Sequence, residues 1–511
     1  MSGNIRNALR LFRVARILAR HDALFLLEQL NVAPGVRIVA KLVRRKQAAG
    51  RPGERLARAL QEAGPSFIKL GQALSTRADL LGETMCRDLS LLQDRLPAFS
   101  GTLAREAIVA EFEVSPETLF ETFDEDAHAA ASIAQVHFAT TKDGREIAVK
   151  VLRPNIEAAF TKDIEMFTWV AHQIERNAPQ LRRLKPVQAV AVLERTIAME
   201  MDLRYEAAAA SEIGENFVTD QTFHVPKVEW PLSGRRIMTT GRMMGIPLDD
   251  HAAIVAAGHN PVDVLQKAAD AFFNQVFRDG FFHADLHPGN LFALEDGTIG
   301  AVDFGIMGRL SMADRRYLGG ILLGFLSRQY QRVAELHQEA GWIPSHKSVD
   351  EFTQACRAIA EPIMDKPQSE ISIARLLGLL FQIAKDFEME TQPQLLLLQK
   401  TMLVAEGTAR SLAPDANIWF MARPLIESWM VRHMSPQAQV EEAATEAIAT
   451  IKRLPKLVKD LENGVERLAS GQIRLDNETV QALKGRPSAL TSPLVLWSAI
   501  AILAALIGYL I

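Results

Sequence analysis

Residues 280–309, GFFHADLHPGNLFALEDGTIGAVDFGIMGR, concentrate the side chains able to do chemistry. His283-Ala284-Asp285 is followed, five residues after the aspartate, by Asn290, and then by Asp303-Phe304-Gly305. H-x-D-x-x-x-x-N ahead of D-F-G is the layout of a phosphoryl-transfer site. The spacing follows from the chemistry. One carboxylate, Asp285, must face an acceptor hydroxyl or water, while Asn290 and Asp303 supply oxygens to one or two magnesium ions (Mg2+). Magnesium takes hard oxygen ligands and keeps part of its water shell, so an amide and a carboxylate on neighbouring loops suit it. His283 and His287 alone could form a metal pair, but Pro288 would break a helix carrying both, and the sequence shows no third zinc-ligand cluster.

The elements that must position these groups are legible in outline. Phe281-Phe282, Leu291-Phe292 and Ile299–Val302 are short apolar runs around a Glu295-Asp296-Gly297 turn, which predicts a hairpin carrying the loops. Further upstream, Gln135–Ala139 and Glu146–Val151 read as two strands joined by a turn at Lys142-Asp143-Gly144. Ile147-Ala148-Val149-Lys150 then matches the strand lysine that a nucleotide's α- and β-phosphates require. Where a glycine-rich loop would precede it stands Ala129-Ala130-Ala131-Ser132. Small side chains still let backbone amides approach phosphates, although alanine lacks glycine's freedom at positive φ. Residues 82–126 read as helix broken at Pro97 and Gly101, and 156–217 as helical, carrying Glu200, Asp202 and Glu206. A carboxylate on such a helix is needed to hold Lys150. Pro226–Thr240 reads as a strand pair around Ser233-Gly234. From 311 to about 470 the pattern is nearly all helix, and the stripes ILLGFL, ARLLGLLFQIAK and LLLLQKTMLVAEG read as core more than as a cofactor or lipid surface.

Composition narrows the class. The chain has 511 residues, 23% charged and 48% hydrophobic, which describes a folded protein with room for two or three domains. A net charge of −4 gives no case for nucleic-acid binding. Cys86 and Cys356 lie far apart in sequence, which argues against a disulfide framework and suits a reducing compartment. No cleavable signal peptide is visible, because the basic start lacks an uninterrupted apolar core. Arg6, Arg10, Arg13, Arg16 and Arg20 fall within an arc of about 120° on a helical wheel. Such a helix either lies on anionic lipid or is an ordinary surface helix packed on its own domain, and the sequence does not choose. Residues 490–511 carry no charge, and about 20 apolar residues suffice to cross a bilayer. Lys484 and Arg486 precede this stretch, so the positive-inside bias leaves the globular bulk in the cytoplasm.

In combination these motifs resemble the UbiB/ADCK atypical kinases, a family associated with ubiquinone (coenzyme Q) biosynthesis. The resemblance spans roughly residues 60–310, with the tail as a further match to bacterial members, although one span is visible where two are expected. Its KxGQ motif corresponds to Lys69-Leu70-Gly71-Gln72, its alanine-rich nucleotide loop to Ala129–Ser132, its strand lysine to Lys150, and its ExD pair to Glu200 and Asp202. Glu206 corresponds to the helix glutamate, and Asp285, Asn290 and Asp303 to the catalytic and metal positions. The resemblance implies a protein-kinase-like two-lobe α+β fold, binding of ATP with magnesium, and ATPase-type activity. It places the KxGQ helix over the site where a protein substrate would sit, with Lys69 at the catalytic centre facing Glu200 and Asp202. No A-P-E segment or long activation loop follows Gly305, so little remains to dock a peptide.

The expected layout is a basic helical N-terminal region (1–60), a KxGQ helical extension (61–126), an N-lobe with the nucleotide loop (127–245), a helical C-lobe with the catalytic and DFG loops (246–480) and one transmembrane helix (490–511). Expected partners are the lipid bilayer, polyprenyl-phenol quinone precursors and other ubiquinone-biosynthesis proteins, but no nucleic acid. The expected location is the bacterial inner membrane, with the globular part facing the cytoplasm. Alternatives are a small-molecule or lipid kinase like the aminoglycoside phosphotransferases, and a nucleotide-gated, non-catalytic scaffold. The hydroxylase named historically for the family finds no support, since there is no dinucleotide fingerprint after a strand and no 2-His-1-carboxylate cluster.

Overall fold

The computed structural model describes residues 3–24, 49–75, 83–90, 96–177, 185–362, 382–384, 386–389 and 393–434, with single positions at 81, 92 and 182. The expected span at 490–511 lies outside these residues. Among the described residues no helix is long and apolar enough to cross a membrane.

The chain opens with helices α1 (Gly3–Arg20), α2 (Pro52–Ala63), α3 (Pro65–Ser75), α4 (Glu83–Ser90), α5 (Gly101–Phe112) and α6 (Pro116–Leu119). Proline at the first position starts α2, α3 and α6, where its missing N–H costs nothing. In α1, Leu11, Ala15, Leu18 and Ala19 are buried against the domain, while Ile5, Leu9 and Phe12 stay exposed. The inner face is therefore that of an ordinary packed helix, and the outer face keeps apolar residues among the arginines.

Strands β1 (Phe120–Phe123), β2 (Ala129–Ala130), β3 (Ala134–Thr141) and β4 (Glu146–Leu152) follow. The hairpin of β3 and β4 forms as expected, with Gly144 at φ +85° in its turn. Strand β1 corrects the helical reading of 82–126. Phe120 is needed at the sheet edge, where it is fully buried, and β1 pairs antiparallel with β3. Helices α7 (Ile156–Asn177), α8 (Pro186–Glu200) and α9 (Leu203–Asn216) divide the expected helical stretch.

Next come β5 (Phe223–His224), β6 (Ile237–Gly241) and β7 (Ile246–Pro247). The strand pair expected at 226–240 is only half formed. Pro231 has no N–H for a ladder, and Trp230–Leu232 turns as a 3-10 segment, leaving a single Val228–Thr240 bridge to β6. The N-lobe sheet runs β1-β3-β4-β6, with β2 paired to β3. Helix α5 covers one face: Ala104, Ala107 and Ile108 pack on Ile147, Val149, Val151 and Ile237.

The larger lobe begins with α10 (His251–Ala256) and α11 (Pro261–Phe273), which passes into a π-turn at Asn274–Asp279. Then follow β8 (Phe281–His283), a 3-10 turn at Pro288–Asn290, β9 (Leu291–Ala293), β10 (Ile299–Ala301) and β11 (Met307–Arg309). The hairpin of β9 and β10 turns at Gly297, φ +74°, as the sequence predicts. Helices α12 (Met312–Leu326), α13 (Tyr330–Glu339), α14 (Val349–Ala360), α15 (Pro393–Leu412) and α16 (Ile418–Met434) complete the described chain. A capping box of Ser311 and Asp314 starts α12 soon after β11, so the expected shortness of the segment after Gly305 is observed.

Candidate phosphoryl-transfer site

Alternation along β4 decides where Lys150 goes. Ile147, Val149 and Val151 point into the core under α5, so Lys150 leaves the opposite face of the sheet. Glu206 sits in the first turn of α9, whose N-cap is Asp202; the Asp202 carboxylate accepts from the Arg204 N–H at 3.2 Å. The two side chains meet: Lys150 Nζ donates to Glu206 Oε1 at 2.7 Å and to Oε2 at 2.9 Å. The same amine donates to Asp303 Oδ1 at 3.1 Å, although 153 residues separate the two in sequence.

The charges in this triad differ in environment. Glu206 is 9% exposed, whereas 47% of the Asp303 side chain is open, so Asp303 presents a carboxylate to a ligand and Glu206 braces from behind. Burial works against the charged form of Lys150, but Asp303 and Glu206 together outweigh it and hold the amine above its ordinary range. Lys150 in turn holds Asp303 well below the usual carboxylate range. Burial pushes the Glu206 carboxyl up, with Lys150 opposing and Asp303 adding.

Backbone contacts stitch the Asp285 loop to the Asp303 loop. Ala284 N–H donates to Ile306 O at 2.9 Å, and Val302 N–H donates to Asn290 O at 3.0 Å. His283 is fully buried; Asp285 N–H donates to its Nδ1 at 3.1 Å, which leaves Nε2–H for Val302 O at 3.2 Å. Burial lowers its pKa, so the ring stays neutral and structural. Asn290 Nδ2 donates to Asp285 O at 3.1 Å, and its amide oxygen, a hard acceptor, has no hydrogen-bond donor among the described residues. Asp303 adopts the left-handed backbone, φ +62°, a conformation costly outside glycine and concentrated at functional sites. A Cβ on Gly305 would stand 3.3 Å from Asp303 Oδ1 and 3.8 Å from Glu206 Oε2, so this glycine leaves room against the triad.

Lys69, on α3, is 8% exposed and pairs with Glu200 at 2.7 Å, at the end of α8. Its charge also helps hold Asp303 ionised. Asp202 faces Arg204, at 2.7 and 2.8 Å, besides capping α9. In the alanine loop, Ala129 and Ala130 form β2, and the Ala131 N–H is used within the turn on Ala134 O at 2.8 Å. Arg153 donates to Ala131 O at 2.8 and 3.1 Å, and the buried Ser132 hydroxyl has no hydrogen-bond partner among the described residues.

One contact is absent from the sequence reading. Lys400 Nζ, on α15, lies 2.9 Å from Asp285 Oδ1. It sits in the LLLLQKTMLVAEG stripe, whose periodicity reads as core, and its signal is the single charge within the apolar run 395–405.

Comparison with known proteins agrees with this architecture. Residues 91–337 match the ABC1 atypical kinase-like domain, and 356–417 match the UbiB helical domain. A protein of Aeromonas hydrophila named "Probable protein kinase UbiB" is 44% identical over 414 residues, covering 80% of this chain and 76% of the relative. One of the same name from Vibrio cholerae is 40% identical over 476 residues, 92% and 88% of the two chains. Among solved structures, Rv3197 of Mycobacterium tuberculosis, determined as a complex with erythromycin, superposes with a TM-score of 0.53 at 23% identity, over 76% of this chain and 98% of that one. That last likeness concerns the fold. The chain belongs to the UbiB family of ABC1 atypical kinases.

Proposed function

We propose that this protein is an atypical kinase-like ATPase of ubiquinone biosynthesis that binds ATP with magnesium and acts on or near polyprenyl-phenol intermediates. The observation that carries the reading is the three-way contact of Lys150, Glu206 and Asp303. A cation braced by a buried glutamate, beside an open aspartate, is what a triphosphate requires. The donor set fits the metal: Asp303 and the Asn290 amide oxygen are hard ligands on adjoining loops. Magnesium held there would neutralise charge developing on the phosphates.

The residues then divide the work. Lys150 grips the α- and β-phosphates, and Glu206 keeps it aimed. Asp285 accepts the proton of an acceptor hydroxyl or water as the new O–P bond forms and the bridging bond to the γ-phosphorus breaks, releasing a nucleoside diphosphate. The product is a phosphorylated acceptor or, with water, free phosphate. The name UbiB shared by the relatives supports the pathway. The uncharged 490–511 stretch and the outer face of α1 support an inner-membrane address, with the globular part in the cytoplasm beside other proteins of the pathway.

The test is quinone extraction from a deletion strain complemented with wild type or Asp303→Asn, together with magnesium-dependent phosphate release by the purified proteins. Asp303→Asn is expected to restore neither. Normal turnover by that variant would refute the metal assignment, and labelled γ-phosphate recovered on a lipid phenol would identify a kinase acceptor.

A further inference from the structure

Asp285 is pinned at its backbone from two sides: its N–H donates to His283 and its carbonyl accepts from Asn290. Its carboxylate is a separate matter. Among the described residues, the side chain that hydrogen-bonds this carboxylate is Lys400, at 2.9 Å. The two groups belong to different family segments, Asp285 to the kinase-like domain and Lys400 to the UbiB helical domain.

The lysine is not on a loose surface element. On α15, Leu398, Ala409 and Leu412 are buried in the main core, and the helix packs against β11, the strand that follows the Asp303 loop. Core packing therefore fixes the helix from which Lys400 projects. The pair is 34% and 29% exposed, and pairs open to solvent contribute little to stability, about 0–1 kcal/mol. Its consequence is geometric. A carboxylate that must meet an acceptor proton loses rate steeply when displaced by about 1 Å, on the order of 100-fold.

We propose that Lys400 is a positioning residue for Asp285, through which the helical domain sets the aim of the acceptor-facing carboxylate. This rests on the phosphoryl-transfer reading above. Lys400 acts by holding one carboxylate oxygen toward α15, leaving the other to face the acceptor. Helix α15 is then part of the catalytic frame, and a shift of this helix becomes a shift of the proton acceptor.

The experiment uses the full chain and follows magnesium-dependent phosphate release from ATP for wild type, Lys400→Met, Lys400→Arg, Asp285→Asn and the Lys400→Met/Asp285→Asn double variant. Lys400→Met is expected to lower kcat by about 10- to 100-fold with KM for ATP within about threefold of wild type. Lys400→Arg should recover most of that loss, which a purely structural role would not predict. In the Asp285→Asn background, Lys400→Met should cost little more, because the two act as a unit. Wild-type kcat in Lys400→Met, a loss residing in KM, or losses that multiply in the double variant would each overturn the inference while leaving the ATPase reading intact. A wild type without turnover would overturn both. If Lys400→Met melts well below wild type, Lys400→Gln carries the same comparison.

Discussion

Replacing Lys150 with methionine keeps an unbranched side chain of nearly the same length and removes its charge. Glu206, 9% exposed, is then left beside Asp303 with no cation between them. Removing one partner of a buried ion pair costs about 3–5 kcal/mol, and the openness of Asp303 places this case at the lower end, about 3 kcal/mol. At about 2–4 °C per kcal/mol for a domain of a few hundred residues, Tm should fall by about 6–12 °C. The loss should depend on pH. Burial pushes the Glu206 carboxyl up to about 7, against 4.5 for an ordinary glutamate, so the folded chain binds a proton that the unfolded chain releases. Stability from such a group is fully present below the unfolded value and is lost as pH rises through the folded one. Without Lys150, protonation of Glu206 removes the stranded charge, so the Tm deficit should be largest near pH 8 and shrink by at least about half near pH 5.5. Melting curves of both proteins at the two pH values, without nucleotide, give the answer. A deficit near pH 8 of less than about 2 °C, or one of equal size at both pH values, would refute the picture of Lys150 compensating a buried carboxylate.

Glu200→Gln weakens the contact with the buried Lys69; amide hydrogen exchange over residues 65–75 should quicken, and an unchanged rate would mean that α3 is held by packing alone. Gly308→Ala would drive a Cβ into Cζ of the fully buried Phe282, so overpacking should cost about 1–3 kcal/mol or more, read as lowered Tm and partly relieved by Phe282→Leu. Burial pushes the Cys356 thiol up to about 12, which leaves it protonated near pH 8; alkylation by iodoacetamide should be slow in the native protein and fast in denaturant.

The site was legible in sequence to the degree that its parts are local. Asp285, Asn290 and Asp303 lie on loops of one hairpin region, so a short window of sequence contains all three. Lys150 was readable from the strand motif Ile147–Lys150 and Glu206 as a carboxylate on the helical stretch 156–217, whereas the break that puts Glu206 in the first turn of α9 was not. Lys400 left almost none: its partner is 115 residues away, and only tertiary packing brings α15 to the Asp285 loop. Strand β1 escaped for a similar reason, since Phe120-Glu121-Thr122-Phe123 becomes a strand by pairing with β3, a contact no local window contains. The π-turn at Asn274–Asp279 also had no local signal, yet it delivers Gln275 to accept from the His283 N–H at 3.0 Å. At Trp230-Pro231-Leu232 the proline was visible, and its missing N–H should have broken the strand expected there.

From Gly305 the backbone pairs as β11 and enters a capped helix at Met312. That economy has a regulatory cost. Conventional kinases are switched by a phosphate added to a pliant stretch at this point, and here the stretch is too short and too well paired to serve as a toggle. Any switch acting on this site must reach it from elsewhere along the polypeptide. Among the described residues the clamps at hand are Lys69, contributed ahead of the small lobe, and Lys400, contributed long after Asp285 and Asp303. The candidate site is thus gripped from both directions of the chain, and a shift of either flank reaches its side chains without passing through a loop.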